Sequence, residues 1–328
     1  MWWVGPSGTD GVLPMTSTVE VSGLVKVYGR LRAVDGIDVT VQKGEVFSFL
    51  GPNGAGKTTT VEILEGLRRA SEGTVRVLGL DPWTEMDRLR WKIGVIPQDF
   101  HFFPKLTPRE ALRLYARLFG RPGDIEGLLA RVELSDKADA YYDTLSGGQR
   151  QKLGVALALV NDPEVCFLDE PTTGLDPRAR RSIWDVIDRL RADGRTVFLT
   201  THYLDEAQRL SDRIAIIHHG QILTSGAPDQ IIAQFGQPER LRIVGEPAIA
   251  QRLAADGVSA VAANGTVEVE LRSKEEALRI LQLLVSSGIR WESFSTRTDT
   301  LEDVFLRLVG RFDESSSPTP TEVSGGSP

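Results

Sequence analysis

The sequence has almost no cysteine, no excess of positive charge and no long apolar run. Cys166 is the single cysteine in 328 residues, which excludes an internal disulfide and fits a reducing compartment. Within its short apolar stretch it reads as a small buried hydrophobe. Lysine and arginine total 38 against 45 aspartates and glutamates, a net charge of -7. A chain that tracked a phosphate backbone would need a basic surface, so no nucleic-acid partner is expected, and no direct adhesion to anionic lipid. No stretch approaches the roughly 20 apolar residues of a membrane-crossing helix; runs such as Val155–Val160 are far shorter. Residues 1–16 carry two tryptophans but neither a basic start nor a long apolar core, so they are not a secretory signal. They read as a disordered extension, with Met15 as an alternative start. No internal repeat is present.

With 41% hydrophobic and 25% charged residues, the chain can bury a core, and its length suggests about two domains. Residues 17–226 alternate short apolar strands with helical patterns around glycine-rich turns, the pattern of an α/β domain. Val46–Leu50 runs into GPNGAGKTTT, Val165–Leu168 ends in Asp169 and Glu170, and Val197–Leu199 closes on Thr200, Thr201 and His202. Buried strands ending in polar residues deliver them to the sheet edge where ligands bind. Asp176-Pro177 is a helix start, with aspartate as N-cap and proline in the first turn. Ala179, Ile183, Val186, Ile187 and Leu190 follow at helical spacing up to Gly194. Helical patterns between about 99 and 145, Pro108–Phe119 above all, predict an insertion of helices.

Residues 227–239, with proline and glutamine, read as a linker. Over 240–312 the order is strand, helix, strand, strand, helix, strand, the ferredoxin-like arrangement. Val267, Val269 and Leu271 alternate with Glu268, Glu270 and Arg272, which predicts one wet face. Ser273 and Glu276 have capping-box spacing. A final helix carries Leu301, Val304, Phe305 and Leu308 on one face, and the polar residues 313–328 are expected to be disordered.

Gly51–Thr58, GPNGAGKT, fits G-x-x-x-x-G-K-[ST] between a strand and a helix. Gly51, Gly54 and Gly56, with Pro52, Asn53 and Ala55 between them, let backbone N–H groups turn around a phosphate. Lys57 brings a positive charge to the β- and γ-phosphates of ATP, and the Thr58 hydroxyl can ligate Mg²⁺. Thr59 lies in the helix whose positive end faces the same phosphates. Asp169 and Glu170 close an apolar strand, where adjacent carboxylates are costly without a cation. Asp169 is disposed to bind Mg²⁺ through water. Glu170 can orient and deprotonate an attacking water, worth about 10²–10⁴-fold in rate, and His202 can hydrogen-bond the γ-phosphate or that water.

Leu145-Ser146-Gly147-Gly148-Gln149 decides the reading. Lying after the phosphate loop and before Asp169-Glu170, this LSGGQ resembles the signature of the ABC ATPase family, over about residues 18–235. The resemblance implies an α/β P-loop NTPase core with a helical subdomain, followed here by a small C-terminal α+β ferredoxin-like domain. It implies that Tyr28, in VYG, stacks on adenine, and that Gln98, in IPQD, ligates Mg²⁺ and links the site to a membrane partner. It also makes Asp176, in GLDP, part of a loop that crosses to a second subunit, and His202 the switch histidine. Ser146, Gly147 and Gly148 begin a helix, so they offer N–H groups and a hydroxyl to an anion; in the family that anion is the γ-phosphate held by the opposite subunit. One set of motifs makes half of each composite site. The chain is therefore expected to pair with a second copy, or with a paralogous ATPase, around two ATP molecules.

The segment VDGIDVTVQKGEVFSFLGPNGAGKTTTVEIL and the sequence TLEDVFLRLVGR at 300–311 resemble the ABC-2 exporter ATPases, the daunorubicin-resistance-like branch. That resemblance implies a separate multi-helix permease and a place on the cytoplasmic face of the membrane, reached only through it. The cargo would be a drug, antibiotic, lipid or other small hydrophobic compound. The helical insertion near His101–Leu106 is the expected docking surface, although His101, Phe102 and Phe103 also suit local packing. An importer ATPase would share every catalytic residue, and a non-transport regulatory module is a further alternative. A two-cassette factor is excluded by the single phosphate loop, and a coiled-coil ATPase by the short spacing of Lys57 and Asp169. The C-terminal domain suits either a sensor of ligand or partner or a packing appendage that supports dimerisation.

Overall fold

The structure, a computed structural model, describes residues 17–121 and 123–316. The expected disordered extension, 1–16, and residues 317–328 of the expected disordered tail lie outside the described residues. The chain divides into two units, Met1–Pro228 and Asp229–Pro328. In the first, β1 (Ser17–Tyr28), β2 (Leu31–Gln42), β3 (Val46–Leu50), α1 (Lys57–Leu64), β4 (Glu72–Val77), α2 (Met86–Leu89) and β5 (Ile93–Ile96) come first. Helices α3 (Pro108–Leu118), α4 (Ile125–Arg131) and α5 (Gly147–Ala158) follow. The unit ends with β6 (Val165–Asp169), α6 (Pro177–Ala192), β7 (Thr196–Thr201), α7 (Leu204–Leu210), β8 (Arg213–His218) and β9 (Gln221–Gly226).

Six strands form a sheet in the order β5-β6-β7-β3-β8-β9, parallel except for the last pair. β3, β6 and β7 are buried along their whole length, so both of their faces need apolar side chains and neither alternates. Phe47, Phe49, Phe167 and Phe198 share one face with α1 and with a three-stranded antiparallel sheet, β2-β1-β4. Cys166, Leu168, Val197 and Leu199 face the other way, into a core supplied by α3, α4, α5 and α6. Because β6, β7 and β3 are neighbours in register, their carboxyl ends bring Asp169-Glu170, His202 and the Gly51–Thr58 loop to one edge. Local chemistry starts the flanking helices. Thr107 with Glu110 and Ser146 with Gln149 form capping boxes for α3 and α5. The Asp176 carboxylate accepts the N–H groups of Arg178 and Ala179 at the head of α6.

In the second unit α8 (Pro228–Phe235), which begins at the boundary, precedes β10 (Arg240–Gly245), α9 (Ala248–Ala255), β11 (Val261–Ala263) and β12 (Thr266–Glu270). Then come α10 (Lys274–Ser286), β13 (Trp291–Arg297) and α11 (Leu301–Ser316). The sheet order is β11-β12-β10-β13, antiparallel throughout, and this is the ferredoxin-like arrangement. Leu241, Ile243, Val267 and Val269 pack against Ile249, Leu253, Ile280 and Leu284.

The structure departs from the sequence expectations at three places. Most of the expected linker is helix α8, started by Pro228 and carrying the buried Ile231. The expected tail begins too early, because α11 continues to Ser316 with Leu301 and Val304 buried. The Ser273 capping box does not form. Ser273 is extended and its side chain caps nothing, while the Glu276 carboxylate accepts the Arg272 N–H at 2.6 Å. Among the described residues no helix is long and apolar enough to cross a membrane.

Candidate active site

Glycines shape the loop between β3 and α1. Gly54 and Gly56 have φ of 81° and 106°, where a side chain would be strained. A Cβ on Gly51 would run into the Ile217 carbonyl, and one on Gly56 into the Ala33 carbonyl. The loop can therefore wrap closely around an anion. Asn53, Gly54, Gly56 and Lys57–Thr59 line a cleft of about 320 Å³, with Tyr28, Gln98 and Glu170 among its other walls. Pro52 and Ala55 hold the turn from behind, the Ala55 N–H donating to the Pro52 carbonyl at 3.2 Å. Tyr28 is 37% exposed, with Lys26 and Arg68 at 5.1 and 5.6 Å from its ring centroid.

At the centre, Lys57 Nζ donates to the carbonyls of Gly51 at 2.8 Å and Pro52 at 3.2 Å. It also lies 3.1 Å from Glu170 Oε1, with both side chains only 4% exposed. Glu170 Oε2 accepts from Thr173 Oγ1 at 3.0 Å and Gln98 Nε2 at 3.3 Å, and lies 3.0 Å from His202 Nδ1. Glu170 has a φ of 47°, a left-handed conformation that a non-glycine residue keeps only when its surroundings enforce it. Here Thr200 Oγ1 accepts the Glu170 N–H at 2.9 Å. Burial pushes the Glu170 pKa up, but the Lys57 ammonium, His202 and the Thr173 hydroxyl outweigh it and hold the carboxyl below the usual range. Asp169 goes the other way: burial raises its pKa despite the hydroxyls of Thr200 and Thr58 beside it. A hydroxyl (Thr58), an amide (Gln98) and a carboxylate (Asp169) are the hard oxygen donors that suit Mg²⁺, and Thr58 bears directly on Asp169. The residues present fit such an ion.

Leu145–Gln149 do not line this cleft. Leu145 is buried, while Ser146 and Gly147 are exposed at the head of α5. Ser146 Oγ accepts the Gln149 N–H at 3.3 Å, and Gln149 Oε1 accepts the Ser146 N–H at 2.9 Å. Gly147 and Gly148 face Leu175 and Ala179, on either side of Asp176. The signature thus lies beside the Asp176 loop, away from the phosphate cradle of its own chain.

Beside Gln98, a groove of about 450 Å³ is walled by Met86, Phe100, Tyr115 and Phe119, with Glu65 and His101 also lining it. Burial, with the nearby charges of Asp169 and Glu62, pushes the Glu65 pKa up to about 8. Of the expected docking residues, Phe102 packs among Phe100, Phe103, Tyr115 and Tyr142. His101 and Phe103 are exposed. Cys166 is fully buried, its thiol pushed up to about 12. Sequence reasoning missed Thr173, which holds Glu170, and Glu206, which is fully buried. Glu206 could have been found, since it stands with Ala207 and Leu210 on the apolar stripe of α7.

Residues 34–173 match the ABC transporter family model, and residues 226–309 match the C-terminal domain of DrrA1-3-like ATP-binding proteins. The Nod factor export ATP-binding protein I of Ralstonia nicotianae is 38% identical over 307 residues, 90% of this chain and 95% of that protein. The daunorubicin/doxorubicin resistance ATP-binding protein DrrA of Streptomyces peucetius is 39% identical over 308 residues, 90% of this chain and 93% of that one. A solved ATP-binding subunit of an ABC transporter superposes with a TM-score of 0.60 at 29% identity, covering 66% of this chain and 93% of that one. A dimeric ATP-binding cassette in a post-hydrolysis state with ADP and phosphate gives 0.58 at 28% identity, covering 64% and 98%.

Proposed function

Because this chain belongs to the ABC transporter family, as an ATP-binding subunit, we propose that it hydrolyses ATP to power export through a separate membrane permease. The export direction draws on relatives named for Nod factor export and for daunorubicin resistance, each matching 90% of the chain. A drug, antibiotic, lipid or similar small hydrophobic compound is the corresponding cargo class. The observation that carries the hydrolytic reading is Glu170, a buried carboxylate held ionised against Lys57 and His202 at the wall of a glycine-shaped phosphate cradle.

In this reading adenine stacks on Tyr28, and the β- and γ-phosphates enter the Gly51–Thr59 loop. Lys57 exchanges Glu170 for phosphate oxygens. Thr58 and Gln98, with Asp169 through water, would hold Mg²⁺, which neutralises charge on the phosphates during transfer. Glu170, relieved of the lysine, takes a proton from the attacking water as its oxygen bonds to the γ-phosphorus and the bridge to ADP breaks. His202 hydrogen-bonds the γ-phosphate. Ser146 and Gly147 of a second copy close over the same phosphate with the positive end of α5, and Asp176 lies in the loop that crosses between copies. Hydrolysis removes the shared γ-phosphate and the seam opens. The groove beside Gln98 receives the permease, so the chain works at the cytoplasmic membrane face and touches the membrane only through that partner. ATP turnover by the purified chain, compared with Glu170→Gln, tests the hydrolytic reading. The parent turns over and the variant binds ATP without hydrolysing it; equal turnover would remove Glu170 from the role.

A further inference from the structure

Helix α7 starts directly after His202-Tyr203 and buries Glu206, Ala207 and Leu210. A carboxylate on that stripe is unfavourable for stability alone, since a well-packed apolar residue would avoid the desolvation cost. Glu206 is 0% exposed. Its Oε1 accepts two hydrogen bonds, from Thr172 Oγ1 at 2.8 Å and from the Trp184 indole Nε1 at 2.8 Å.

Each donor belongs to a different part of the machinery. Thr172 lies in the turn that leaves Glu170, next to the Thr173 hydroxyl that holds Glu170 Oε2. Trp184 sits in α6, the helix capped by Asp176. Glu206 itself lies in the first turn of α7, the helix that follows His202 and is capped at Tyr203. A second route runs in parallel: the His202 and Tyr203 rings lie 4.2 Å apart, the Arg180 guanidinium of α6 stands 4.0 Å over the Tyr203 ring, and Arg180 pairs with Asp205 at 3.7 Å.

We propose that Glu206 is a positioning residue for ATP hydrolysis. Its buried oxygen fastens the turn after Glu170, the helix behind the Asp176 loop and the helix that begins two residues after His202 into one unit. The base, the histidine and the crossing loop are then set together and not one by one. This inference rests on the hydrolytic reading above. Misplacing a reacting group by about 1 Å can cost ~10²-fold in rate, whereas the hydrogen-bond partners of Glu206, Thr172, Trp184 and Thr201, are not among the residues lining the cleft.

The test is steady-state ATPase kinetics on the full-length chain. Glu206→Ala loses about tenfold or more in kcat, within the ~10²-fold that misplacement costs, and keeps its KM for ATP within about twofold. Glu206→Gln, whose amide oxygen still accepts both bonds, recovers kcat to within about threefold of the parent. Thr172→Val and Trp184→Phe, each deleting one donor, lower kcat with KM unchanged, and they decide the matter should Glu206→Ala not fold. Parental kcat in Glu206→Ala and Thr172→Val would overturn the proposal. So would a Glu206→Gln variant as impaired as the alanine, or KM rising in step with falling kcat. His202→Ala and Glu170→Gln run beside them. If those two turn over normally, the hydrolytic reading has failed; if they are dead while Glu206→Ala is normal, only this inference has.

Discussion

Lys57 Nζ and Glu170 Oε1 lie 3.1 Å apart, with both side chains only 4% exposed, so the cation and the carboxylate neutralise one another. Removing one partner of a buried pair typically costs about 3–5 kcal/mol, because a charge is left uncompensated. Lys57→Ala is therefore expected to melt below the parent at pH 7. The pair holds the folded pKa of Glu170 below its ordinary value of 4.5. Its stabilisation is present above that value and is lost as pH falls through the lower, folded one. The melting difference between parent and Lys57→Ala should shrink as the pH is taken below 4.5, and adding Glu170→Gln to Lys57→Ala should recover much of it at pH 7. Melting curves across that range check all three.

Glu65 has the opposite sign. Its pKa rises from 4.5 to about 8 on folding, so the folded chain binds that proton more tightly than the unfolded one. The resulting stability is complete below about pH 4.5 and is lost as pH rises through 8. Glu65→Gln keeps the neutral form at every pH. It should melt near the parent at pH 5 and above it at pH 8.5, by roughly 2–4 °C for each kcal/mol relieved. Parallel pH profiles for the two proteins would count against a buried, proton-binding Glu65.

Tyr28 tests the adenine side of the cleft. Stacking on a ring is worth about 1–3 kcal/mol, so Tyr28→Ala should raise the KM for ATP by roughly 5- to 150-fold and leave kcat at saturation near the parent. Tyr28→Phe keeps the ring and should behave as the parent. An unchanged KM in the alanine variant would show that the ring does not hold the base.

The parts of this molecule that the sequence revealed are those whose cause is local. The Gly51–Thr58 turn needs positive φ at fixed positions, Asp176 and Ser146 cap the helices they precede, and apolar runs at β3, β6 and β7 end in polar groups. The family signature added roles that spacing alone did not give. What stayed hidden depends on distant partners. The sheet β2-β1-β4 pairs Val19 with both Val41 and Val77, a register that nothing near Val19 specifies. Ser273 and Glu276 had the spacing of a capping box, but the Ser273 side chain makes no cap bond and the Glu276 carboxylate accepts the Arg272 N–H instead. The place of Glu206 on the apolar stripe of α7 is legible in the sequence, but its partners Thr172 and Trp184 lie far along the chain.

Leu145–Gln149 lie away from their own cleft and beside Asp176, the arrangement on which the proposed sharing of each ATP between two copies rests. Mixing Lys57→Ala with Ser146→Arg measures this most directly. Each variant alone has no complete site, whereas a mixed pair joins the intact Lys57 loop of one copy to the intact signature of the other. With random pairing of equal amounts, half the dimers carry one good site of two, so turnover should return to about a quarter of the parental rate. No recovery, with mixed dimers shown to form, would contradict the shared site.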